Sequence, residues 1–233
     1  MPAVAEPVLA VVIPAYQAAA TLGAVLEGVR STLPEAAVYV VDDGSSDDTS
    51  AVARRAGVTM LVHPRNRGKG AALRTGIDRA LIDGAGLLVT LDADGQHPPA
   101  ALPRVVELVR LGHADLALGA RARTHPMPVF RRCSNWLSAA LVSRLAGVTV
   151  ADAQTGMRAF GRTLAEAVRP AETGYDYEAA FLLAAVAAGY RVRAVPVPTV
   201  YDGAASHFRS WHDTWRVARV FARYAWRILK GGA

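Results

Sequence analysis

The chain has 233 residues, 52% hydrophobic and 20% charged, enough apolar material for one large α/β domain and no sign of a disordered or fibrous protein. No run reaches the ~18 consecutive apolar residues of a membrane span; the nearest, 179–189, is too short and reads as a buried helix. The formal net charge of +6 suits an anionic membrane surface or phosphorylated substrates, and with no arginine run, zinc-finger spacing or RNA-motif signature, nucleic acid is set aside.

Residues 9–13 form a compact apolar strand broken by Pro14. Ala15, Tyr16 and Gln17 then turn, and Thr21 can cap a helix running to about Arg30. The second strand, 38–41, ends in acid: Asp42, Asp43, Gly44, Ser45, Ser46, Asp47, Asp48, Thr49, with Asp48 or Ser46 able to cap a helix over 51–56. A third strand covers 59–63, and the basic loop 64–70 leads into a helix over 71–82. Next come a strand at 87–91, a helix at 100–110 and a strand at 115–119. Such alternation with short links indicates a doubly wound, mostly parallel sheet flanked by helices.

The strand 87–91 carries the most telling ending, Asp92, Ala93, Asp94, Gly95, Gln96, His97 and a Pro-Pro pair. Two carboxylates one residue apart at the mouth of a buried strand repel each other and lose hydration. A divalent cation removes the conflict, and Mg²⁺ sites of this kind hold one or two carboxylates and leave the rest to water and phosphate. The plainer reading is a tight exit before the next helix. Ligands of such sheets bind beyond the carboxyl ends of the strands. The clusters 14–17, 42–48, 65–69 and 92–96 all fall there, which favours the metal reading.

Past Gly119 the pattern changes. A basic, proline-broken loop (120–128) precedes a helix (129–146), a polar stretch (149–155), a short apolar stretch (157–160), a helical stretch (177–188) and a β segment (191–199). No repeat or long linker divides the chain, so one domain over 1–233 is expected. In the terminal segment 213–230, Arg216, Arg219, Arg223, Arg227 and Lys230 recur on one helical side, and Trp215, Val220, Phe221, Tyr224, Trp226, Ile228 and Leu229 supply apolar surface. Such an amphipathic helix can lie in a membrane interface or dock on its own domain.

The stretches VVIPAYQ (11–17), VVDDGSSDDT (40–49), NRGKGAALRTGI (66–77), LDADGQHPP (91–99), LGAR (118–121) and DAQTGMRAF (152–160) stand together in one order. In them the chain resembles the family-two glycosyltransferases of GT-A fold, especially the dolichol-phosphate mannose synthase and bacterial polyprenyl-phosphate glycosyltransferase group. The resemblance implies a metal-dependent, inverting transfer from a GDP- or UDP-sugar to a polyprenyl phosphate. It makes 1–120 the nucleotide-binding half, 121–210 the acceptor-side half and 211–233 a basic terminal helix. It implies that Pro14, Tyr16, Val41 and Asp43 hold base and ribose, with Lys69, Asp92 and Ala93 lining the donor site. Asp92, Asp94 and Gln96 are the implied ligands of Mg²⁺ or Mn²⁺. Asp94, Arg121, Arg131 and Asp152 are the implied catalytic group, the arginines gripping phosphate oxygens. Gln17 and Ala18 depart from the family's Asn-Glu after the tyrosine, which puts one ribose contact in question.

A polyprenyl phosphate is already an anion and needs no general base, whereas a hydroxyl acceptor does. For that case Asp152, Asp176 and Glu178 are candidates, the last two read as facing apart on a strand, while His207 and Arg209 can meet a phosphate. Transfer to a lipid or glycan hydroxyl stays open as an alternative. So do two other classes, an aspartate-nucleophile phosphatase using Asp92 and a nucleotidyltransferase. With one cysteine (Cys133), no secretion-signal pattern before the first strand and no membrane helix after the domain, a cytoplasmic enzyme peripheral to the inner membrane face is expected.

Overall fold

The structure, a computed structural model, describes residues 7–121, 155–198, 219–220 and 223–224. Its strands are β1 (Leu9–Ala15), β2 (Ala37–Asp42), β3 (Thr59–Val62), β4 (Leu87–Thr90), β5 (Leu116–Arg121), β6 (Arg158–Gly161) and β7 (Val192–Val197). They form one sheet in the order β3-β2-β1-β4-β6-β5-β7. The helices are α1 (Ala19–Thr32), α2 (Thr49–Arg55), α3 (Lys69–Ile82), α4 (Leu102–Arg110), α5 (Arg162–Ala167) and α6 (Asp176–Ala187).

β1 lies inside the sheet, between β2 and the central strand β4, and is buried along its whole length. Because strand side chains alternate, Ala10 and Val12 join one core with Leu73 and Ile77 of α3 and Phe181 and Leu182 of α6. Leu9, Val11, Ile13 and Ala15 join a second core with Leu22 and Leu26 of α1 and Val105 of α4. Helices on both faces explain why the strand reads as a continuous apolar run instead of an amphipathic one. α6 is apolar almost all round and correspondingly buried, as its Ala- and Leu-rich sequence demands.

β1 pairs in parallel with β2 and β4, β2 with β3, and β5 with β7. The chain therefore runs outward from β1 to β3 and returns to β4 on the other side of β1. This leaves a crevice between the carboxyl ends of β1 and β4. The exception is β6, the 157–160 stretch, which runs antiparallel between β4 and β5. Its direction brings Thr155 and Gly156, just before it, to the rim where β4 and β5 end.

Several helix starts differ from the sequence reading. α1 begins at Ala19, not Thr21, because the loop after β2 takes up its first amides: Ala18 N donates to Thr49 Oγ1 (2.8 Å) and Ala19 N to Asp47 Oδ2 (3.0 Å). Asp48 sits at the start of α2 without a side-chain cap; Asp47 Oδ1 receives Thr49 N instead (3.1 Å). α3 starts at Lys69, two residues early, because Gly68 at φ +96° turns the chain sharply before it. Asp176 and Glu178, read as strand residues, occupy the first turn of α6, and both are buried.

The predicted helix over 129–146 lies outside the described residues, as does most of 213–230. Of the latter, Arg219, Val220, Arg223 and Tyr224 are helical. Val220 is 1% exposed within the α3–α6 core, Tyr224 packs against that core, and Arg223 Nη1 donates to Glu172 Oε1 at 2.8 Å. These residues dock on the domain. Among the described residues no helix is long and apolar enough to cross a membrane.

Candidate active site

The loop after β2 is assembled from its own acids. Buried Asp42 accepts Ser45 N through Oδ1 (2.9 Å) and the Ser50 hydroxyl through Oδ2. Asp43, 2% exposed, accepts Arg67 N (2.9 Å) and Gly68 N (2.8 Å), one on each oxygen. Its Oδ1 also meets His63 Nδ1 at 2.6 Å, and His63 Nε2 lies 3.0 Å from Thr75 Oγ1. With a carboxylate at Nδ1, that nitrogen carries a proton. Asp47, bonded by Thr49 and Ala19, loses some hydration, but those hydrogen bonds outweigh the loss and set its carboxyl below the usual range.

The loop after β1 is bolted to this frame. Gln17 N donates to Ser45 Oγ (2.9 Å) and Gln17 Nε2 to Ser46 Oγ (2.8 Å), with Gln17 at φ +52°. That left-handed conformation suits Asn better than Gln, so the departure from the family's Asn keeps the turn by adding a side-chain tether. Pro14 and Val41 are buried in the walls, and Tyr16 is exposed at the rim. Thr21 Oγ1 donates to the carbonyl of Ala93 (2.6 Å), joining α1 to the loop after β4.

At the end of β4 an ammonium joins the acids. Lys69, the first residue of α3, places Nζ 2.6 Å from Asp92 Oδ1 and 3.1 Å from Glu178 Oε2, with the Tyr175 ring centroid 5.8 Å away. Burial works against the ammonium, but Asp92 and Glu178 more than offset it and hold its pKa above the usual lysine value. Burial raises the Glu178 carboxyl; Lys69 opposes that and Asp92 adds to it. Asp94, whose Oδ1 accepts Gln96 N (2.9 Å), is also raised, first by lost hydration and then by repulsion from Asp92.

The rim before β6 completes the site. Gly156 lies so close to Asp92 that a Cβ there would overlap the carboxylate. Thr90 Oγ1 holds the Gly156 carbonyl at 2.8 Å. Thr155 Oγ1 donates to Gly119 O (2.6 Å) and lies 3.1 Å from buried His97 Nε2. Arg158, buried within β6, donates through Nε to Thr155 O (2.9 Å) and through Nη1 to Glu178 O (2.6 Å).

The four polar clusters of the strand ends thus meet around one crevice. Asp43, Lys69, Asp92, Ala93, Asp94 and Gln96 lie there, and Asp43's carboxylate is engaged with protein donors. Arg121 ends β5 at the same rim, while Arg131, Asp152, His207 and Arg209 lie outside the described residues. The sequence reading missed His63, Thr155 and Gly156. Thr155 and Gly156 stand inside the stretch 152–160, which carried a signal; His63 had none.

The donor set fits a divalent ion. Two hard carboxylates sit at the strand mouth, and a lysine ammonium already stands against Asp92 where positive charge is required. Among the described residues no three His, Cys, Asp or Glu gather as a metal cage. An ion here would therefore take further ligands from water and phosphate, as Mg²⁺ and Mn²⁺ do.

The profile described as Glycosyl transferase family 2 matches residues 10–169. The chain is 34% identical over 203 residues to a polyprenol monophosphomannose synthase of Mycolicibacterium smegmatis, covering 80% of this chain and 75% of that protein. It is 33% identical over 193 residues to a dolichyl-phosphate hexose transferase of Haloferax volcanii, covering 82% of each. The crystal structure of glucosyl-3-phosphoglycerate synthase from Mycobacterium tuberculosis with Mn²⁺, uridine diphosphate and glucosyl-3-phosphoglycerate matches with a TM-score of 0.78. That match covers 94% of this chain and 80% of the other at 20% identity, and it shows a shared fold, the GT-A arrangement.

Proposed function

Since the chain belongs to glycosyl transferase family 2 and is a glycosyltransferase, we propose that it moves one sugar, with inversion, from a GDP- or UDP-sugar to a polyprenyl phosphate. The observation that carries this reading is the charge arrangement at the β1–β4 crevice. Asp92 and Asp94 leave β4 at the sheet's switch point, and Asp92 is bridged by Lys69, a set suited to a cation-bound diphosphate. Bound Mg²⁺ or Mn²⁺ stabilises the negative charge that grows on the departing nucleotide. Asp92, Asp94 and Gln96 hold that ion, and Lys69 supplies a further, permanently protonated charge beside it.

Pro14, Tyr16 and Val41 form the wall for base and ribose. Asp43 contributes chiefly by fixing the loop that carries Lys69. Arg121 and Arg131 bind phosphate oxygens of donor and acceptor. The acceptor supports this assignment: two relatives matched over about four-fifths of the chain are named for polyprenyl-type phosphates. Such an anion attacks without losing a proton, so Asp152 is not needed as a base. Residues 1–120 serve the donor and 121–210 the acceptor. The basic terminal segment, docked at Val220, meets the lipid surface at the inner face of the membrane.

The test is transfer of labelled sugar from GDP- and UDP-donors, with Mn²⁺ or Mg²⁺, to polyprenyl phosphate and to hydroxyl acceptors. Turnover on polyprenyl phosphate, abolished in a folded Asp94→Ala variant, is expected. Turnover on hydroxyl acceptors alone, or an active Asp94→Ala enzyme, overturns the reading.

A further inference from the structure

Lys69 is tied to a carboxylate on either side. Its ammonium leans toward Asp92 (2.6 Å) and lies farther from Glu178 (3.1 Å). Glu178 is 4% exposed, and its Oε1 is buried with no hydrogen-bond partner among the described residues. A buried carboxylate oxygen without a donor is costly to keep, and Lys69 is the ammonium beside it. Asp92 is closed in by Gly156. The backbone of Lys69 is equally fixed, because Gly68 N is held by Asp43 and Ala71 N by Thr173 O. What remains mobile is the four-carbon lysine stem.

We propose that Lys69 is a resident counter-cation, held on Asp92 in the donor-free enzyme and passed to Glu178 when the cation and nucleotide load, with Glu178 as its positioning residue. The proposal rests on the reading of Asp92 as a cation ligand. A divalent ion at Asp92 repels the ammonium, and the spare oxygen of Glu178 takes up the contact that Asp92 gives up. Loading is therefore an exchange of one cation for another, and the floor of the site carries compensating charge in both states. Lys69 then stays beside the diphosphate without leaving Asp92 and Asp94 to repel each other before the donor arrives.

The exchange is read from Mn²⁺ binding, measured by the electron-spin-resonance signal of free Mn²⁺ during titration of the nucleotide-free protein. Lys69→Met is expected to tighten Mn²⁺ binding by about tenfold, the size of one lost ion-pair competitor. Glu178→Gln is expected to weaken it by a similar factor, because Lys69 then has only Asp92. In the Lys69→Met background the effect of Glu178→Gln should shrink toward zero, which a merely structural glutamate would not do. Glu178→Asp should restore part of the wild-type affinity. Unchanged or weaker Mn²⁺ binding in folded Lys69→Met, or an equal loss from Glu178→Gln in both backgrounds, overturns the exchange. Mn²⁺ binding indifferent to Asp92→Asn would instead overturn the site assignment itself, so the two failures are distinguishable.

Discussion

At the end of β2, Asp42, Asp43 and Asp47 accept hydrogen bonds from backbone amides, hydroxyls and His63, all supplied by neighbouring loops. At the end of β4, two strands away across β1, Asp92 faces Lys69, and Asp94 takes one amide from its own turn. Acids of the same type at equivalent places thus serve different ends. Those after β2 are occupied in building the frame, whereas those after β4 keep their charge facing the crevice. The difference follows from the donors within reach. β2 ends beside loops rich in amides and hydroxyls, while β4 ends beside a lysine and a glycine with no side chain to offer.

The contrast can be tested by removing one acid from each place. Asp92→Asn should lower sugar transfer by about a thousandfold, the range seen when a main electrostatic contact to the leaving group is lost. Turnover is read on the folded fraction, fixed by urea unfolding, because Lys69 loses one of its two carboxylates; transfer within about tenfold of wild type would erase the distinction. Gly156→Ala forces Asp92 aside without touching its charge. It should lower turnover by up to about a hundredfold through misplacement, read from steady-state kinetics against nucleotide-sugar concentration.

Asp43→Asn should do the reverse. Two amides and a buried histidine share that carboxylate, so a stability loss of about 1–3 kcal/mol is expected by urea unfolding. Turnover of the folded fraction should change by less than about tenfold.

Asp115, far from either loop, calibrates the smallest effect. Arg191 hydrogen-bonds it through its side chain and its amide, holding its carboxyl below the usual range. A lowered carboxylate stabilises the fold above its unfolded pKa of about 3.9. That contribution is lost as pH falls through the folded value. The Asp115→Asn variant should therefore be slightly less stable than wild type at pH 7. The gap should close below about pH 4, and it should be small because the pair is exposed.

Much of this was legible in the sequence. The order of strands and helices, the buried character of β1 and β4 and the meeting of four polar clusters follow from apolar runs that end in acid or glycine. The direction of β6 did not follow, since four short residues carry no mark of which way they run. Nor did the exact start of α6: the sequence marks a helical stretch from 177, while Asp176 and Glu178 also read as strand residues. The buried N-terminal turn of that helix reads like a strand when its first residues alternate aromatic and acidic. His63 looked like the tail of a strand. Its role depends on Asp43 and Thr75, both distant along the chain, and no local pattern encodes that.

The reversed strand β6 has one more consequence. Because it runs against its neighbours, the chain leaves the sheet at Arg121 and re-enters beside Gly156 from the same side of the molecule. Departure and return share one end of the sheet, so the described strands β5 and β6 pair side by side with both of their open ends at the crevice.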